Sequence, residues 1–365
     1  MAAAWRPGLP HLLSLLELVQ SLLSIASLRC RRWLARLVLA SVFMAGAAVL
    51  IAPAAAQSAT ASAGAVLGLP AQPGYYRMRV GAVTVTALSD GTLPLTYDFL
   101  THTTPAEVNQ RLARAKVPYP VETSVNAYLL DTGTRLVLVD TGAGALMGPV
   151  LGAGLGRLPA SLRAAGYQPA QVTDILLTHL HSDHIGGLTA DDQRVFPNAT
   201  VHVSQAESDY WLSDANLAKA PADGKVLALD RRFFLEARAQ MAPYVAAGNV
   251  QPFAAHAEVV PGIRALATPG HTTYVLESQG QQLVFWGDLV HVAAVQLANP
   301  AVTFTSDVNA AAAVAERRQA LADAARRGYW VAGDHLSFPG IGHVRAAGTR
   351  YEWLPVNYST TGAGQ

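Results

Sequence analysis

The feature that most constrains this chain is a ten-residue run, Thr178-His179-Leu180-His181-Ser182-Asp183-His184-Ile185-Gly186-Gly187. It places three imidazoles and one carboxylate within six residues, directly behind the apolar stretch 175–177. Imidazole and carboxylate are common metal ligands in proteins, and packing alone rarely concentrates them in this way. The run therefore predicts a metal site at the end of a strand, with further ligands supplied from distant parts of the chain.

The spacing within the run predicts two adjacent metal sites. On an extended segment, His179 and His181 point the same way and can hold one ion. Asp183 and His184 follow where the chain turns, so they can address a second ion a few ångströms away. Paired ions about 3.5–4 Å apart can activate a bridging water and also polarise a substrate oxygen.

Three later segments offer the missing ligands. His271 lies in Thr-Pro-Gly-His-Thr, Asp288 in Trp-Gly-Asp, and His335 in Gly-Asp-His. Each is expected to follow a strand and a small residue, as in loops that converge on one edge of a layered structure. The other histidines of the mature chain lack such spacing and are expected to be structural: His102, His202, His256, His291 and His343. Of these, His291 and His343 lie near the predicted ligands in the sequence and are kept as candidates for contact with a ligand side chain.

The N-terminus resembles an export signal. Arg29, Arg31 and Arg32 precede a mostly apolar stretch that ends in Ala54-Ala55-Ala56, which predicts a signal peptide over 1–56 cleaved after Ala56. The paired arginines fit a twin-arginine signal as well as an ordinary secretory one, and the long start also fits an over-extended gene start. Cleavage predicts a periplasmic or secreted protein with no stable membrane association, and an uncleaved anchor is the alternative.

Composition narrows the partners and ligands. The only cysteine, Cys30, lies inside the predicted signal, so the mature chain has no disulfide, thiol nucleophile or cysteine ligand. Removing the five basic and one acidic residues of 1–56 leaves 21 basic and 24 acidic residues, a balance of about −3. This balance argues against a nucleic-acid partner and favours a small-molecule substrate.

Hydrophobic periodicity and turn residues predict one α/β domain over 74–365, behind a flexible lead-in at 57–73. Ser89-Asp90-Gly91 is expected to break the second strand, and 330–332 is expected to be the last one. Strands are predicted at 75–80, 83–88, 123–130, 135–139, 174–177, 200–203, 259–267, 274–278, 282–286 and 330–332, and helices at 105–116, 158–165, 205–212, 226–247 and 309–327. Antiparallel strand pairs interrupted by covering helices indicate a layered sandwich.

The motifs together resemble the metallo-β-lactamase superfamily, which implies a four-layer αββα sandwich and a metal-dependent hydrolase. Four more segments resemble its methyl parathion hydrolase and lactonase branch: 74–78 (Gly-Tyr-Tyr-Arg-Met), 87–92 (Ala-Leu-Ser-Asp-Gly-Thr), 121–126 (Val-Glu-Thr-Ser-Val-Asn) and 338–343 (Phe-Pro-Gly-Ile-Gly-His). The resemblance implies hydrolysis of hydrophobic uncharged esters, organophosphate triesters or lactones. Alternatives are an acyl-homoserine or aryl lactone hydrolase with little phosphotriesterase activity, a β-lactamase or thioesterase, or a non-catalytic metal-binding protein.

The resemblance also implies specific roles. His179, His181 and His271 would bind one ion and Asp183, His184 and His335 the other, with Asp288 bridging. Asp183 and Asp288 would orient the attacking hydroxide, and Asp140 would accept the free ring N–H of a ligand histidine. Two divalent ions per chain are implied, with zinc the default for such ligands. The oligomeric state is left open, with a homodimer as one option.

Large apolar residues in predicted loops and helix edges are candidates for the substrate pocket. We single out Leu93, Met147, Trp211 and Phe234, and the wider set adds Leu95, Tyr210, Phe233 and Phe304. Such a wall would favour uncharged, hydrophobic substrates. Met147 departs from the aromatic residue of the phosphotriester hydrolases, so the lactone alternative stays open.

Overall fold

Two seven-stranded sheets pack face to face, and helices cover their outer sides. The computed structural model describes residues 72–148, 154–221, 231–268 and 270–360. The predicted signal at 1–56 and nearly all of the predicted lead-in lie outside these ranges. Residues Pro70–Gln365 form one compact unit. Within the described ranges, no helix is both long and apolar enough to span a membrane.

The first sheet is mixed, because its first strands are antiparallel and its last four are parallel. In spatial order it contains β1 (Tyr75–Val80), β2 (Val83–Leu95), β4 (Val121–Asp131), β5 (Leu136–Val139), β6 (Asp174–Leu176), β9 (Thr200–Ser204) and β10 (Val250–Phe253). The parallel part brings the carboxyl ends of β5, β6 and β9 to one edge, and the histidine run leaves the sheet at that edge.

The second sheet is antiparallel except between β14 and β16. Its order is β11 (Glu258–Val260), β12 (Ile263–Thr268), β13 (His271–Ser278), β14 (Gln281–Phe285), β16 (Trp330–Ala332), β17 (Ile341–Ala347) and β18 (Arg350–Pro355). Two small pairs complete the strands, β3 (Leu100–Thr101) with β15 (Thr303–Phe304) and β7 (Thr189–Ala190) with β8 (Gln193–Arg194).

The helices start and stop where local chemistry allows. Thr104 and Glu107 form a capping box at the first helix, with Thr104 N donating to Glu107 Oε2 at 3.0 Å, and Asn309 Oδ1 caps the last one. The helices are α1 (Pro105–Ala115), α2 (Leu158–Ala164), α3 (Ser182–Ile185), α4 (Gln205–Trp211), α5 (Asp214–Lys219), α6 (Arg231–Ala246), α7 (Ala293–Gln296) and α8 (Ala310–Arg327). Tyr97–Phe99, Pro169–Gln171 and Gly287–Leu289 are 3₁₀ turns.

Alternation along the strands divides the apolar residues among three cores. Leu129 on β4 faces the core beneath α1, α2 and α6, whereas Leu130 faces the core between the sheets. Phe285 on β14 faces the same central core, and its neighbour Val284 faces the core beneath α8. Three cores separate four layers, which confirms the predicted αββα sandwich.

The break predicted at 89–91 is wrong, because β2 continues to Leu95 through a β-bulge. Ser89 pairs with Asn126 and Gly91 with Val125, so the extra residue, Asp90, is left over. Its buried carboxylate accepts hydrogen bonds from backbone N–H groups at 143, 156 and 158, at 2.9–3.0 Å. The Ser-Asp-Gly sequence therefore reads as a turn but serves as a bulge.

Two further strand predictions needed correction. The strand at 330–332 is not the last one, because β17 and β18 follow it. The outward-facing residues of these two strands are mostly exposed and polar, so the strands show no hydrophobic run in the sequence. The predicted strand 259–267 is two strands, β11 and β12, because the chain turns at Pro261-Gly262. Each of the five predicted helices is confirmed within the described residues, with boundaries that agree to within one position. The predicted start of the fourth helix at 226 lies outside the described residues.

Candidate metal centre

The histidine run is anchored in the seam between the sheets. Asp140, behind β5, accepts hydrogen bonds from Thr178 N at 2.8 Å and from Thr178 Oγ1 at 2.6 Å. Thr178 O accepts from Thr272 N on β13 at 2.8 Å, which ties the run to the second sheet. Gly287 passes so close that a Cβ there would lie 3.2 Å from Thr178, and its φ of +57° also favours glycine.

Six of the seven predicted ligands form two tight triplets within the described residues. The ligand atoms of His179, His271 and Asp288 all lie within 4.8 Å of one another, as do those of Asp183, His184 and His335. His181 belongs to neither triplet, but its ring centroid is 4.4 Å from that of His179. His271 is the first residue of β13 rather than part of a loop, a difference from the sequence prediction.

Asp288 lies between the two triplets and offers one oxygen to each. Its Oδ2 is 3.5 Å from Nε2 of His179. Its Oδ1 is 3.0 Å from Nε2 of His184 and 2.9 Å from Nε2 of His335. This is the placement that a carboxylate bridging two ions requires.

The outer ring nitrogens of three histidines meet acceptors, which turns their Nε2 atoms inward. His184 Nδ1 is 2.8 Å from Asp140 Oδ2, the contact predicted for Asp140. His335 Nδ1 is 2.9 Å from Ser124 O, and His179 Nδ1 is 3.0 Å from Thr178 Oγ1. Nε2 of both His179 and His184 is buried and makes no hydrogen bond among the described residues, so these atoms fit an ion better than a structural network.

Burial and neighbouring charge divide the histidines electrostatically. Burial lowers the pKa of His179 well below its usual range and that of His181 to about 3. Burial also acts on His184 and His335, but Asp288 and Asp183 outweigh it. They raise the pKa of His184 well above its usual range and that of His335 to about 9. His179 and His181 are therefore suited to bind an ion as neutral imidazoles. His184 and His335 lie where nearby carboxylates favour a positive charge.

Asp288 responds to the same charges. Burial alone would raise its pKa, but His184 and His335 hold it well below its usual range. A carboxylate that stays ionised while buried among imidazoles is suited to a divalent cation.

Two groups beside the centre carry little or no signal of a functional role in the sequence. His291 is buried, and its Nε2 lies 3.2 Å from Asp288 Oδ2. Asp334 was missed, although it precedes His335 directly, and its Oδ2 lies 3.3 Å from His184 Nδ1. Their positions next to Asp288 and His335 were the only signals, because neither shows ligand spacing of its own.

The remaining histidines do not join the centre. His343, a candidate for contact with a ligand side chain, bonds Tyr329 O at 3.0 Å and packs on Trp330. His202 Nε2 lies 2.9 Å from Asp174, and His102 Nδ1 lies 2.5 Å from Thr303 Oγ1. His256 is exposed.

Two cavities at the centre share His181 and Ser306 as lining residues, and a third is lined by His271, Asp288 and Arg317 among others. The first combines an apolar wall with polar residues of the centre: Leu93, Leu95, Phe233 and Phe304, with His181, Asp183, Asp288, His291, Ser306 and His335. The second opens toward α4 and α8 and is lined mainly by His181, Glu207, Tyr210, Trp211, His271 and Asp307. Burial raises the pKa of Glu207 to about 7, and its Oε2 accepts from Leu180 N at 3.1 Å.

Two of the four residues singled out for the substrate pocket line a cavity at the centre. Leu93 lines the first cavity and Trp211 the second. Met147 and Phe234 line neither cavity, and both side chains are buried in the core beneath the outer helices. Phe233 takes the place predicted for Phe234, since consecutive helix positions point about 100° apart and only one of the two can face the centre.

The family model of the metallo-beta-lactamase superfamily matches residues 120–326. The chain belongs to this superfamily. The match begins at β4 and ends within α8, so it includes six of the seven predicted ligands, all except His335. The family and the fold predicted from the motifs are therefore confirmed.

Solved structures share the fold over most of this chain. The hydrolase AbOPH is 34% identical with a TM-score of 0.73, covering 80% of this chain and 100% of that one. AidC, a dizinc quorum-quenching lactonase in complex with a product, is 24% identical with a TM-score of 0.69. That likeness covers 79% of this chain and 99% of AidC, and it concerns the fold alone.

Two curated proteins match shorter stretches. Atrochrysone carboxyl ACP thioesterase of Passalora fulva is 29% identical over 170 residues, which is 45% of this chain and 38% of that protein. Metallo-beta-lactamase domain-containing protein 1 of Xenopus laevis is 30% identical over 162 residues, 42% of this chain and 54% of that protein. The chain thus spans about half or less of the length of these curated relatives.

Proposed function

We propose that this superfamily member is a metal-dependent hydrolase of uncharged esters with apolar substituents, in lactones or open-chain carboxylesters. The observation that carries the proposal is the first cavity, in which an apolar wall faces a cluster of metal-ligand type. Among its described lining residues there is no lysine or arginine, so away from the candidate ligands a substrate carboxylate or phosphate would find no cationic side chain to bind.

The residues at hand fit two divalent ions. His179, His181 and His271 would hold one and Asp183, His184 and His335 the other, with Asp288 reaching both. Ions bound there, zinc by default, would lower the pKa of water and polarise a carbonyl oxygen. The carboxylates of Asp183 and Asp288 can accept hydrogen bonds from an attacking water and so orient it.

Surrounding side chains would keep this arrangement fixed and dry. Asp140 and the carbonyl of Ser124 accept from the outer nitrogens of His184 and His335, which sets the orientation of those rings. Phe233 and Phe304 cover the first cavity with apolar surface, so water is excluded where the substrate would lie.

A metal analysis combined with a substrate panel tests the proposal. The panel contains an aryl lactone, an acyl-homoserine lactone, a p-nitrophenyl ester and a dimethyl aryl phosphorothioate. We expect two ions per chain and turnover of lactone or carboxylester, abolished in Asp183→Asn and retained in Asp209→Asn, whose aspartate is exposed on α4. Fewer than two ions per chain after saturation with metal, or turnover of the phosphorothioate alone, would refute it.

The same proposal includes export. It is supported by the basic, apolar and Ala-Ala-Ala segments of 1–56, as a metal-loaded hydrolase of small neutral substrates could act outside the cytoplasm. Cell fractionation with N-terminal sequencing tests this, and we expect a periplasmic or secreted protein that begins near Gln57. A full-length cytoplasmic protein would contradict it.

A further inference from the structure

Four planar rings form a continuous column that ends on a predicted metal ligand. Phe99 stacks on Phe304 with centroids 5.8 Å apart and planes at 16°. Phe304 stacks on His291 at 3.8 Å and 4°, and His291 stacks on His335 at 4.9 Å and 16°. The column therefore runs from the β3–β15 pair to the centre and includes Phe304, a wall residue of the first cavity.

The middle of the column is fixed by backbone contacts. The buried Gln296 accepts hydrogen bonds from His291 N at 2.8 Å and from Val292 N at 3.0 Å. Its Nε2 donates to Val302 O at 3.3 Å, just ahead of β15. One amide side chain thus links the segment that carries His291 to the strand that carries Phe304, so the two rings keep their distance.

We propose that His291 is a positioning residue whose flat ring, held between Phe304 and His335, acts together with the Ser124 carbonyl to set the orientation of His335 toward its ion. The proposal rests on the proposed function, because it requires His335 to be a ligand. In this proposal His291 acts through ring stacking rather than through its hydrogen bond. The His291 and Phe304 rings are nearly parallel with centroids 3.8 Å apart. The hydrogen-bond contact of His291 is to Asp288 Oδ2 at 3.2 Å, and that oxygen also lies near His179.

Two substitutions separate stacking from nitrogen chemistry. His291→Phe keeps a planar ring and removes both nitrogens, whereas His291→Leu removes the ring as well. For His291→Leu we expect affinity for the more weakly held Zn²⁺ to fall about 10- to 100-fold, as for other residues that orient ligands. We also expect a lower kcat on the best panel substrate with little change in KM. His291→Phe should recover most of both losses.

The measurements are competition titrations with Zn²⁺ and the d–d absorption of the Co²⁺-substituted protein, which report ligand geometry without any substrate. His343→Leu and His343→Phe are matched controls, because His343 also packs on an aromatic ring at 3.8 Å but lies outside both cavities. Both controls should match the wild type. If His291→Leu fails to fold, Phe304→Leu interrupts the same column one ring further away and should act in the same direction.

Each outcome distinguishes the two proposals. If the wild type binds two ions and His291→Phe is as impaired as His291→Leu, a ring nitrogen is the effective group and the stacking proposal is wrong. Wild-type behaviour of both variants would also overturn it, and the proposed function would stand. A wild type that binds no ion would refute the proposed function and this inference together.

Discussion

A single carboxylate, Asp288, joins the two ligand triplets, and its position follows from the residue before it. Gly287 adopts a left-handed conformation that turns the chain out of β14 and against Thr178. Asp288 then points both oxygens into the centre, toward His179 on one side and toward His184 and His335 on the other. Any substitution there should affect both ions at once.

Asp288→Asn should therefore lower kcat on the best panel substrate by at least about 100-fold, because an amide offers only one oxygen and no charge to two ions. Inductively coupled plasma analysis should show fewer than two ions per chain. Asp209→Asn, at an exposed site on α4, is the control and should match the wild type. Full activity with two ions bound would show that Asp288 does not bridge them.

The residues that cluster at the centre could be found from the sequence because their signal is local, whereas the residues that line the cavities could not, because their signal is not local. His179, His181, Asp183 and His184 are adjacent in the chain, and His271, Asp288 and His335 each accompany a glycine and a strand end. Whether Phe233 or Phe234 faces the centre depends on the rotation of α6, which packing against the first sheet decides. The stack that brings His291 onto His335 likewise depends on where β15 pairs.

At the scale of elements, α8 holds the centre from behind through one buried side chain. Arg317 donates hydrogen bonds to Leu289 O at 2.6 Å, Pro300 O at 3.1 Å and Val302 O at 2.8 Å, and it lies 3.8 Å from Asp307. One guanidinium thus connects α8 to the turn that carries Asp288 and to the segment before β15. The sequence predicts this helix at 309–327 but gives no signal that Arg317 is buried.

Arg317→Leu should lower the free energy of unfolding by about 3–5 kcal/mol, because it leaves buried carbonyls and Asp307 without their donor. Urea denaturation measures the change. Arg318→Leu, at the neighbouring exposed position, is the matched control and should change stability by less than about 0.5 kcal/mol. Equal stability of the two variants would show that Arg317 does not anchor these segments.

Adjacent parallel strands are joined by a charged cluster around Asp174 on β6. Burial would raise the pKa of Asp174, but hydrogen bonds from His202 on β9, from Arg135 and from Thr173 lower it to about 2. The unfolded chain therefore binds more protons between about pH 2 and 4. The stabilisation is complete above pH 4 and is lost as the pH falls through about 2.

Asp174→Asn should accordingly lower the free energy of unfolding by up to about 2 kcal/mol at pH 7. The difference from wild type should shrink as the pH is lowered from 4 toward 2, because protonation then removes the same interaction from the wild type. Urea denaturation over this pH series measures it, with Asp192→Asn in an exposed turn as the control. A difference independent of pH would show that the charge of Asp174 does not stabilise the fold.

Across the whole molecule, the candidate ligands of the centre come from both sheets. The run 179–184 follows β6 of the first sheet. In the second sheet, His271 begins β13, Asp288 follows β14 and His335 follows β16. Direct hydrogen bonds also cross this seam, such as Asn126 Nδ2 to Leu336 O at 2.7 Å. Bound ions would therefore join the two halves of the sandwich.

Removal of the ions should consequently lower Tm, and the loss should be reversed by Zn²⁺. Ligand linkage gives about 2.7 kcal/mol for an ion present at 100 times its Kd. Differential scanning calorimetry before and after chelation, with metal content measured in parallel, tests this expectation. An unchanged Tm in protein shown to be metal-free would mean that the ions do not stabilise the sandwich.

The bulge in β2 determines which side chains a substrate can meet. Leu88 faces the outer core, and strict alternation would place Thr92 and Pro94 on that face; the extra residue moves Leu93 and Leu95 there instead. Deleting one residue at 89–91 would exchange the two faces of this strand end while leaving every other residue of the centre unaltered. We therefore expect a one-residue insertion or deletion here to change substrate preference more than a single substitution in this strand does.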